Sequence, residues 1–307
     1  MNRDLRHASK LVLPAGDWPG LLDFLCHRFP HVGRQQWQQR FARQLVLSAA
    51  GEPLDAQQSC VAGLELYYFR EVAAEPVVPF AEHILFEDEL LLVVDKPHYL
   101  TVAPVGRFVE QTLLRRLQQR YPRAQLSPLH RLDRLTAGVI MLCKQPGRRD
   151  AYQQLFRQQQ VARCYEAIAA PLPQLEFPYE HHSRLQRHPE LFFLTAEVSG
   201  TANAGTRIRV LQKGRAYWHY QLQPSSGRKH QLRVHMNSLG APIVWDDFYP
   251  VVQPRSDGFD RPLQLLARSI AFVDPVNGQQ RSFVSARQLA LAQHLDQSVD
   301  CAGADLA

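Results

Sequence analysis

The sequence predicts an α+β protein that divides into two folded parts. Apolar residues make up 45% of its 307 residues and charged residues 21%, the balance of a globular chain with a sizeable core. Strand-like segments recur along the chain, and the helical segments between them are too few for a regular βαβ alternation. The length suggests about two domains. We expect them at residues 1–74 and 75–290, with a disordered tail at 291–307.

The composition argues against several classes of protein. No run of 18 apolar residues occurs and residues 1–6 contain no apolar signal core, so membrane spans and ordinary secretion are not expected. The five cysteines are scattered, odd in number and without a C-x-x-C pair. This pattern argues against a disulfide framework and against a cysteine zinc site. Reduced thiols fit the cytosol, so the predicted location is cytoplasmic.

The first domain is predicted to contain two short helices and two short strands. A break at 18–20 precedes a helix that opens at 21–25, where apolar residues follow helical spacing. Residues 35–43 are predicted to form a second helix. Residues 45–47 and 64–69 are predicted to be short strands.

Positive charge is clustered in two stretches of the chain. The net charge is only +6, but residues 24–51 contain no acid and carry arginines that include Arg34, Arg40 and Arg43. Residues 107–150 contain ten basic residues against three acidic ones. Such clustering is the footprint of a polyanion partner, with ordinary solvated helix faces as the alternative. Two small helices, short strands and an arginine-bearing face together resemble the S-four-type RNA-binding module, which implies that these three arginines bind RNA.

The second domain is predicted to be rich in strands. After a linker at 71–76, the predicted strands cover residues 84–88, 90–94, 139–142, 165–168, 217–222 and 263–272, with others around Thr195 and Ile208. The predicted helices cover residues 110–121, 149–160 and 229–239. Residues 127–134 and 171–189 are predicted to be loops.

One polar loop carries an unusual arrangement of charges. The run at 130–139, HRLDRLTAGV, places Asp133 between Arg131 and Arg134 directly before an apolar strand. Flanking guanidinium groups favour the ionised carboxylate and lower its pKa, so we expect Asp133 to be charged at neutral pH. A carboxylate inside a positive patch is a poor ligand for a polyanion, which favours chemistry over simple affinity. A surface ion pair or a loop cap is the alternative.

The same run resembles the signature of the RluA-type pseudouridine synthases, which is H-R-L-D followed by Thr, a small residue and Gly. Further matches follow in the family's order and span about residues 80–285. They are Phe86–Asp88 with Val93–Pro97, Cys164–Ala167, Gly227–His235 and Gly240–Tyr249. The resemblance implies a catalytic domain with a largely antiparallel mixed central sheet, and an active site in a cleft across its middle.

The resemblance also implies an activity, the isomerisation of specific uridines in ribosomal or transfer RNA to pseudouridine. It assigns catalysis to Asp133, the aromatic contact with the target base to Tyr165, and the basic partner of the aspartate to Arg233. Arg131 corresponds to the arginine that helps to replace the extruded uridine. The aspartate acts either as a nucleophile or as a base. The other matched residues are assigned to RNA binding: His130, Arg134, Arg228, Gln231 and His235.

The implied enzyme is a monomer whose partner is RNA. It needs no cofactor and no metal, because the isomerisation is redox-neutral and the aspartate supplies the attacking group. Three positions depart from the family pattern. Trp245 stands where a Gly usually precedes the aspartate, and Leu266 stands where many members have a His before the Ala. Gln44–Val46 occupies the place of a G-x-V turn in the first domain.

Two other functions are open as alternatives. A metal hydrolase would use His130, Asp133, His230 and His235 as ligands. The spacing of five between the last two differs from the i, i+4 pair of a helical zinc site. A non-catalytic RNA-binding protein built on the synthase fold would be supported by an altered Asp133 or Tyr165, and both are intact.

Overall fold

The computed structural model describes residues 5, 8–30, 32–70, 75–106, 108–254 and 258–296. The chain forms two compact units, residues 1–73 and 74–307. Most of the predicted linker at 71–76 lies outside the described residues. None of the described helices is long and apolar enough to cross a membrane.

The smaller unit packs two helices against a three-stranded antiparallel sheet. Its elements in chain order are β1 (Ser9–Val12), α1 (Leu21–Arg28), α2 (Arg34–Ala42), β2 (Val46–Ser48) and β3 (Glu65–Tyr68). The strand order is β1-β3-β2. Both predicted helices and both predicted strands are present, and β1 is a further strand that the sequence analysis missed.

Helical periodicity explains how the smaller unit closes its core. The fully buried Trp37 of α2 has the rings of Phe29 and Tyr68 at 5.7 and 5.3 Å. Arg40 is only 9% exposed, and its guanidinium lies over the Trp37 ring at 4.6 Å. Arg40 lies three residues after Trp37 on the same helical face, which places its guanidinium on the indole. Its assignment to RNA binding stays a prediction.

The larger unit is built on one long sheet. Its strands are β4 (His83–Glu87), β5 (Leu91–Lys96), β6 (Ser127–Pro128), β7 (Ala137–Cys143), β8 (Ala162–Ala169), β9 (Tyr179–Arg187), β10 (Thr195–Val198), β11 (Ala204–Lys213), β12 (Trp218–Pro224), β13 (Leu265–Val273) and β14 (Gln280–Val284). Its helices are α3 (Leu113–Arg120), α4 (Arg149–Arg157) and α5 (Gln231–Ser238).

The sheet of the larger unit is mixed but mostly antiparallel. The strand order is β10-β9-β11-β12-β8-β13-β7-β5-β4, with β14 paired to β13 and β6 paired to β7. In the part of the chain that the structure describes, every strand pairing of this sheet is antiparallel except that between β13 and β7. The predicted α+β class and the largely antiparallel mixed sheet are confirmed.

Both faces of the central strands are covered by other parts of the unit. On β5, the neighbours Leu91 and Leu92 belong to different core clusters, because successive side chains point to opposite faces. Leu117 of α3 joins the cluster of Leu92, and Tyr152 of α4 joins that of Leu91. Burial from both sides explains why Ala137–Cys143 is a continuous apolar run instead of an alternating one.

Two parts of this unit differ from the sequence-based prediction. The predicted loop at 171–189 contains β9, whose sequence YEHHSRLQR is too polar to show the alternation of a strand. The predicted tail also starts too early. Leu291 and Leu295 are buried, and the Leu295 carbonyl accepts hydrogen bonds from the amides of Ala216 and Tyr217. Residues 297–307 of that tail lie outside the described residues.

Candidate active site

The predicted catalytic residues line one cavity of about 720 Å³, which lies beside the central strands. Asp133 reaches it from the loop before β7, Tyr165 from β8 and Arg233 from α5. Because β8, β13 and β7 are adjacent in the sheet, side chains that are far apart in the sequence meet at this place.

Backbone contacts fix the loop that carries Asp133. The Asp133 carbonyl accepts a hydrogen bond from the Thr136 amide at 3.2 Å, which closes a turn. The ammonium of the fully buried Lys96 donates to the Arg134 carbonyl at 3.3 Å and to two carbonyls of its own segment. Burial lowers the pKa of Lys96 to about 7. The loop is thereby tied to the end of β5.

Gly138 follows this loop at a position that requires glycine. Its φ is 111°, in a region that other residues rarely adopt. A Cβ there would also collide with the backbone of Ala267 on β13. The glycine of the signature therefore lets β7 approach β13 closely where the two strands pair.

Arg233 connects two carboxylates in the interior. It is 1% exposed and forms a two-pronged ion pair with Asp246, with Nε–Oδ2 at 2.7 Å and Nη2–Oδ1 at 2.5 Å. Its remaining nitrogen, Nη1, donates to Asp133 Oδ2 at 3.4 Å. Burial opposes the charge, but Asp246 and Asp133 raise the pKa of Arg233 above its ordinary value. The guanidinium is therefore a permanent cation beside Asp133.

The groups around Asp133 keep it ionised. Burial raises the pKa of a carboxyl, but His230, Arg233 and Arg131 outweigh this effect and hold the pKa of Asp133 below its usual value. His230 Nε2 lies 3.8 Å from Asp133 Oδ2, and burial lowers the pKa of this imidazole to about 4. His230 is therefore neutral at neutral pH and its charge acts on Asp133 only at low pH, so at pH 7 the two arginines supply the positive charge.

Tyr165 lines the same cavity from the middle of β8. It pairs with Leu222 of β12 on one side and with Ala267 of β13 on the other. Burial raises the pKa of its hydroxyl, which is therefore neutral at pH 7. The next residue, Glu166, faces the other side of the sheet and pairs with Arg268 at 2.7 Å. Tyr165 thus presents an aromatic surface next to an ionised carboxylate.

The arginines predicted to bind RNA differ in exposure. Arg131 and Arg228 are exposed and line the cavity. Arg134 is half-buried, with its guanidinium over two aromatic rings at 5.8 and 5.5 Å. Arg34 and Arg43 are exposed on the smaller unit, and Arg34 pairs with a carboxylate at 2.7 Å.

Two residues assigned to RNA binding are buried and hold parts of the fold. Gln231 is 4% exposed, and its amide donates to the Gly205 carbonyl at 2.8 Å and accepts from the Ser226 hydroxyl at 2.7 Å. His235 is fully buried, with both ring nitrogens in contact with hydroxyl groups at 3.1 and 2.8 Å. Gln231 also lines the cavity, and the RNA-binding assignments of both residues stay predictions. A motif match does not distinguish a side chain that touches RNA from one that holds α5 in place.

His130 belongs to the wall of the cavity. Its Nε2 accepts a hydrogen bond from the Met141 amide at 3.1 Å, and its ring stacks on Phe156 at 4.9 Å. Burial lowers the pKa of His130 to about 3, so the ring is neutral. A charge contact with phosphate is therefore not available to it, and a contact through the ring stays a prediction.

Two residues have site roles that the sequence analysis did not assign. Asp246 neutralises Arg233, and Lys96 anchors the loop of Asp133. Both residues lie in segments that match the family pattern, so this match could have indicated their roles. The residue before Asp246 has a φ of 59°, which explains why the family usually has glycine there. Trp245 adopts this backbone and packs against the core cluster that contains Leu266.

Among the described residues, one group has the donor atoms for a metal ion: His181, Glu197 and His235. His181 Nε2 already lies 2.9 Å from Glu197 Oε2, and hydroxyl groups occupy both nitrogens of His235. This network is closed by hydrogen bonds and does not include Asp133. The ligand set considered for a metal hydrolase does not come together, because His130 and His235 are engaged elsewhere.

Comparisons with known proteins decide the family. Residues 90–238 match the family model described as RNA pseudouridylate synthase. The chain is 34% identical over 232 residues to an uncharacterized RNA pseudouridine synthase of Synechocystis sp., covering 75% of this chain and 79% of that protein. It is 32% identical over 214 residues to the dual-specificity RNA pseudouridine synthase RluA of Vibrio vulnificus, covering 67% and 83%. The chain belongs to the RluA-type RNA pseudouridine synthases.

A solved structure has the same fold as this synthase. Human RNA pseudouridylate synthase domain containing 1 matches with a TM-score of 0.57, over 73% of this chain and 89% of that one, at 22% identity. Asp133, Tyr165 and Arg233 all lie inside the family match at 90–238, and Asp246 lies just beyond it. As a member of this family, the protein is an isomerase that modifies RNA.

Proposed function

We propose that this synthase converts specific uridines of structured ribosomal or transfer RNA to pseudouridine, with Asp133 as the essential carboxylate. The observation that carries the proposal is the ionised Asp133 beside Arg233, on the wall of a cavity that Tyr165 also lines. Similar proteins are named for the ribosomal large subunit and for tRNA, which supports this class of substrate.

The reaction exchanges one bond of the ribose for another. The bond from the anomeric carbon to the ring nitrogen breaks, and a bond to ring carbon 5 forms. A proton leaves that carbon and another is taken up by the nitrogen, so no electrons are gained or lost. Asp133 acts on the ribose, either as nucleophile at the anomeric carbon or as base at its neighbour. Both routes need an ionised carboxylate in a fixed direction, which the contact with Arg233 supports.

The surrounding residues fit the handling of an extruded base. Removing a uridine from its stack costs roughly a few kcal/mol. In this proposal Tyr165 offers an aromatic face for the uracil, and Arg131, which is exposed and lines the cavity, enters the vacated stack. Arg228 and Lys229 also line the cavity, and their charges attract the phosphates of the strand.

The test is the loss and recovery of particular pseudouridines. In total RNA from a strain without this gene, we expect a small set of pseudouridines in ribosomal or transfer RNA to disappear. The wild-type gene should restore them, and Asp133→Asn should not. An unchanged map in the deletion strain, or full restoration by Asp133→Asn, would contradict the proposal. RNA binding with every pseudouridine still in place would favour the non-catalytic alternative.

Chelation tests the expectation that the chemistry needs no metal. Turnover of a short stem-loop substrate should survive excess EDTA, because the carboxylate itself supplies the reacting group. A short stem-loop is the right substrate, since a large RNA can lose its own fold together with magnesium. Loss of turnover on the short RNA, with recovery when metal is returned, would show that the mechanism is different.

A further inference from the structure

A surface that the reaction at Asp133 does not use lies beside the cavity, because the lining residue His230 has the Phe248 ring at 5.5 Å and Phe248 packs on the loop between β9 and β10. Arg187 ends β9, and Phe192 follows in the loop before β10. Phe192 is 66% exposed. A single exposed apolar ring is ordinary on a protein surface, so its surroundings decide its meaning.

The loop that carries Phe192 is anchored on both sides of the ring. The next residue, Phe193, turns inward and packs on Phe248 at 5.6 Å. The rings of Phe192 and Phe193 are nearly perpendicular, at 88°. His188 Nδ1 accepts a hydrogen bond from the Leu191 amide at 3.1 Å, which closes the turn. Phe192 is thus presented to solvent by an anchored turn.

Two basic residues supply positive charge here, Arg187 beside Phe192 and Lys229 in the cavity wall. The guanidinium of Arg187 lies over the Phe192 ring at 5.4 Å. Lys229 lines the cavity, where burial lowers its pKa, the Asp133 carboxylate raises it, and the charges of Arg131 and Arg187 lower it further. In the described part of the chain, no carboxylate forms an ion pair with any of these three cations. Unpaired cations beside an aromatic ring are the combination that binds single-stranded RNA.

We propose that Phe192 stacks on an unpaired base of the RNA strand that leads into the cavity. Arg187 braces one face of the ring, and the exposed face receives the base. Lys229 then contacts the phosphate between this base and the target uridine. The inference rests on the proposed function, since it assumes an RNA strand at Asp133. Stacking is tolerant of sequence, so the surface selects an unpaired nucleotide at this position without reading its identity.

Variants of Phe192 separate stacking from apolar bulk. Phe192→Ala should weaken the binding of a fluorescein-labelled oligouridylate about 5- to 150-fold, the range expected for one stacked base. It should raise KM on unmodified ribosomal and transfer RNA transcripts by a similar factor, with kcat unchanged. Phe192→Trp should bind at least as tightly as the wild type. Phe192→Leu, which keeps bulk without an aromatic face, should behave like Phe192→Ala.

Charge and surface controls complete the experiment. Arg187→Ala should weaken binding and flatten its salt dependence, whereas Phe192→Ala should leave the salt dependence unchanged because it removes no charge. Leu211→Ala is the matched control, because Leu211 is 48% exposed on β11 and does not line the cavity. It should match the wild type.

The outcomes distinguish this inference from the proposed function. Wild-type affinity in Phe192→Ala, or in Phe192→Leu, would overturn the role of Phe192 as a stacking surface. A wild-type protein that binds the oligouridylate but forms no pseudouridine on any transcript would refute the proposed function instead. The binding measurements with oligouridylate decide the role of Phe192 in either case.

Discussion

At the scale of single residues, Arg233 holds its two carboxylates unequally. Asp246 takes two guanidinium nitrogens at 2.5 and 2.7 Å and also accepts the amides of Phe248 and Tyr249 at 2.8 and 3.2 Å. Asp133 receives one longer contact of 3.4 Å, and 22% of its side chain is exposed. Asp246 therefore fixes and neutralises the arginine. Asp133 stays charged and accessible to a substrate.

Removing the charge of Asp246 tests whether the pair of Asp246 and Arg233 supports the function of Asp133. Asp246→Asn should lower kcat at least tenfold and lower the thermal midpoint, because breaking a buried ion pair is destabilising by roughly 3–5 kcal/mol. RNA affinity should change by no more than a few-fold, since Asp246 is buried. Asp247→Asn is the matched control, because Asp247 is half-buried and forms no ion pair within the described ranges. Wild-type kcat in Asp246→Asn would show that Asp133 does not depend on this pair.

At the scale of elements, prediction from the sequence succeeded where burial leaves an apolar pattern, either a continuous run or a helical period. The apolar strands β5 and β7 and the amphipathic helix α1 were all found in place. β9 was missed because only Ser183 and Leu185 of its nine residues are buried, so its pairing with β10 and β11 leaves no apolar pattern. The motifs brought Asp133 to the cavity, but they could not show that His235 is buried, because burial depends on tertiary packing.

The loop before α5 depends on one glutamine. Gln231→Leu keeps the volume of the side chain but removes its hydrogen bonds to the Gly205 carbonyl, the Ser226 hydroxyl and the Arg228 amide, and each lost bond costs about 0.5–1.5 kcal/mol. We therefore expect a lower free energy of unfolding in urea. Gln223→Leu, at an exposed position of β12, should change stability much less. A stable Gln231→Leu protein with weakened RNA binding would show instead that Gln231 acts in RNA binding and not in stability.

At the scale of the whole molecule, the two units have separate cores, and Asp133, Tyr165 and Arg233 all belong to the larger one. Deletion of residues 1–73 should therefore weaken binding to the natural RNA and leave turnover of saturating short RNA much less affected. The slope of binding against salt should fall by about 0.7 to 0.9 for each phosphate that the shortened protein no longer neutralises. Titrations at several salt concentrations measure this slope. A truncated protein that folds but modifies no RNA of any length would place part of the active site in residues 1–73.

Buried histidines make the stability of the larger unit depend on pH. Burial lowers the pKa values of His98, His230 and His235 to about 4 and that of His130 to about 3. In the unfolded chain each histidine takes up a proton near pH 6.5. Because the folded protein keeps these histidines neutral, its free energy of unfolding is greatest above about pH 6.5. It decreases as the pH falls toward 4. The loss is up to about 1.4 kcal/mol per pH unit for each histidine.

Urea unfolding between about pH 7 and pH 5 should show this loss. His98→Gln provides the comparison, because the Nδ1 of His98 lies 2.6 Å from a backbone carbonyl, that of Leu135. The free energy of unfolding of the variant should depend less steeply on pH, by a slope that corresponds to at most one proton. Identical slopes for the variant and the wild type would show that His98 titrates in the folded protein as it does in the unfolded chain.

The ionised Asp133 carboxylate is the centre of the proposed chemistry, and one measurement tests it most directly. Pseudouridine formation is followed in a single turnover, with the enzyme in excess over an unmodified target RNA, and the Kd for the same RNA is measured in parallel. Asp133→Asn should form no pseudouridine and bind the RNA within a few-fold of the wild type, because the amide keeps the size of the side chain and removes only its charge. Turnover at the wild-type rate, or a loss of binding in proportion to the loss of activity, would contradict a catalytic role for Asp133.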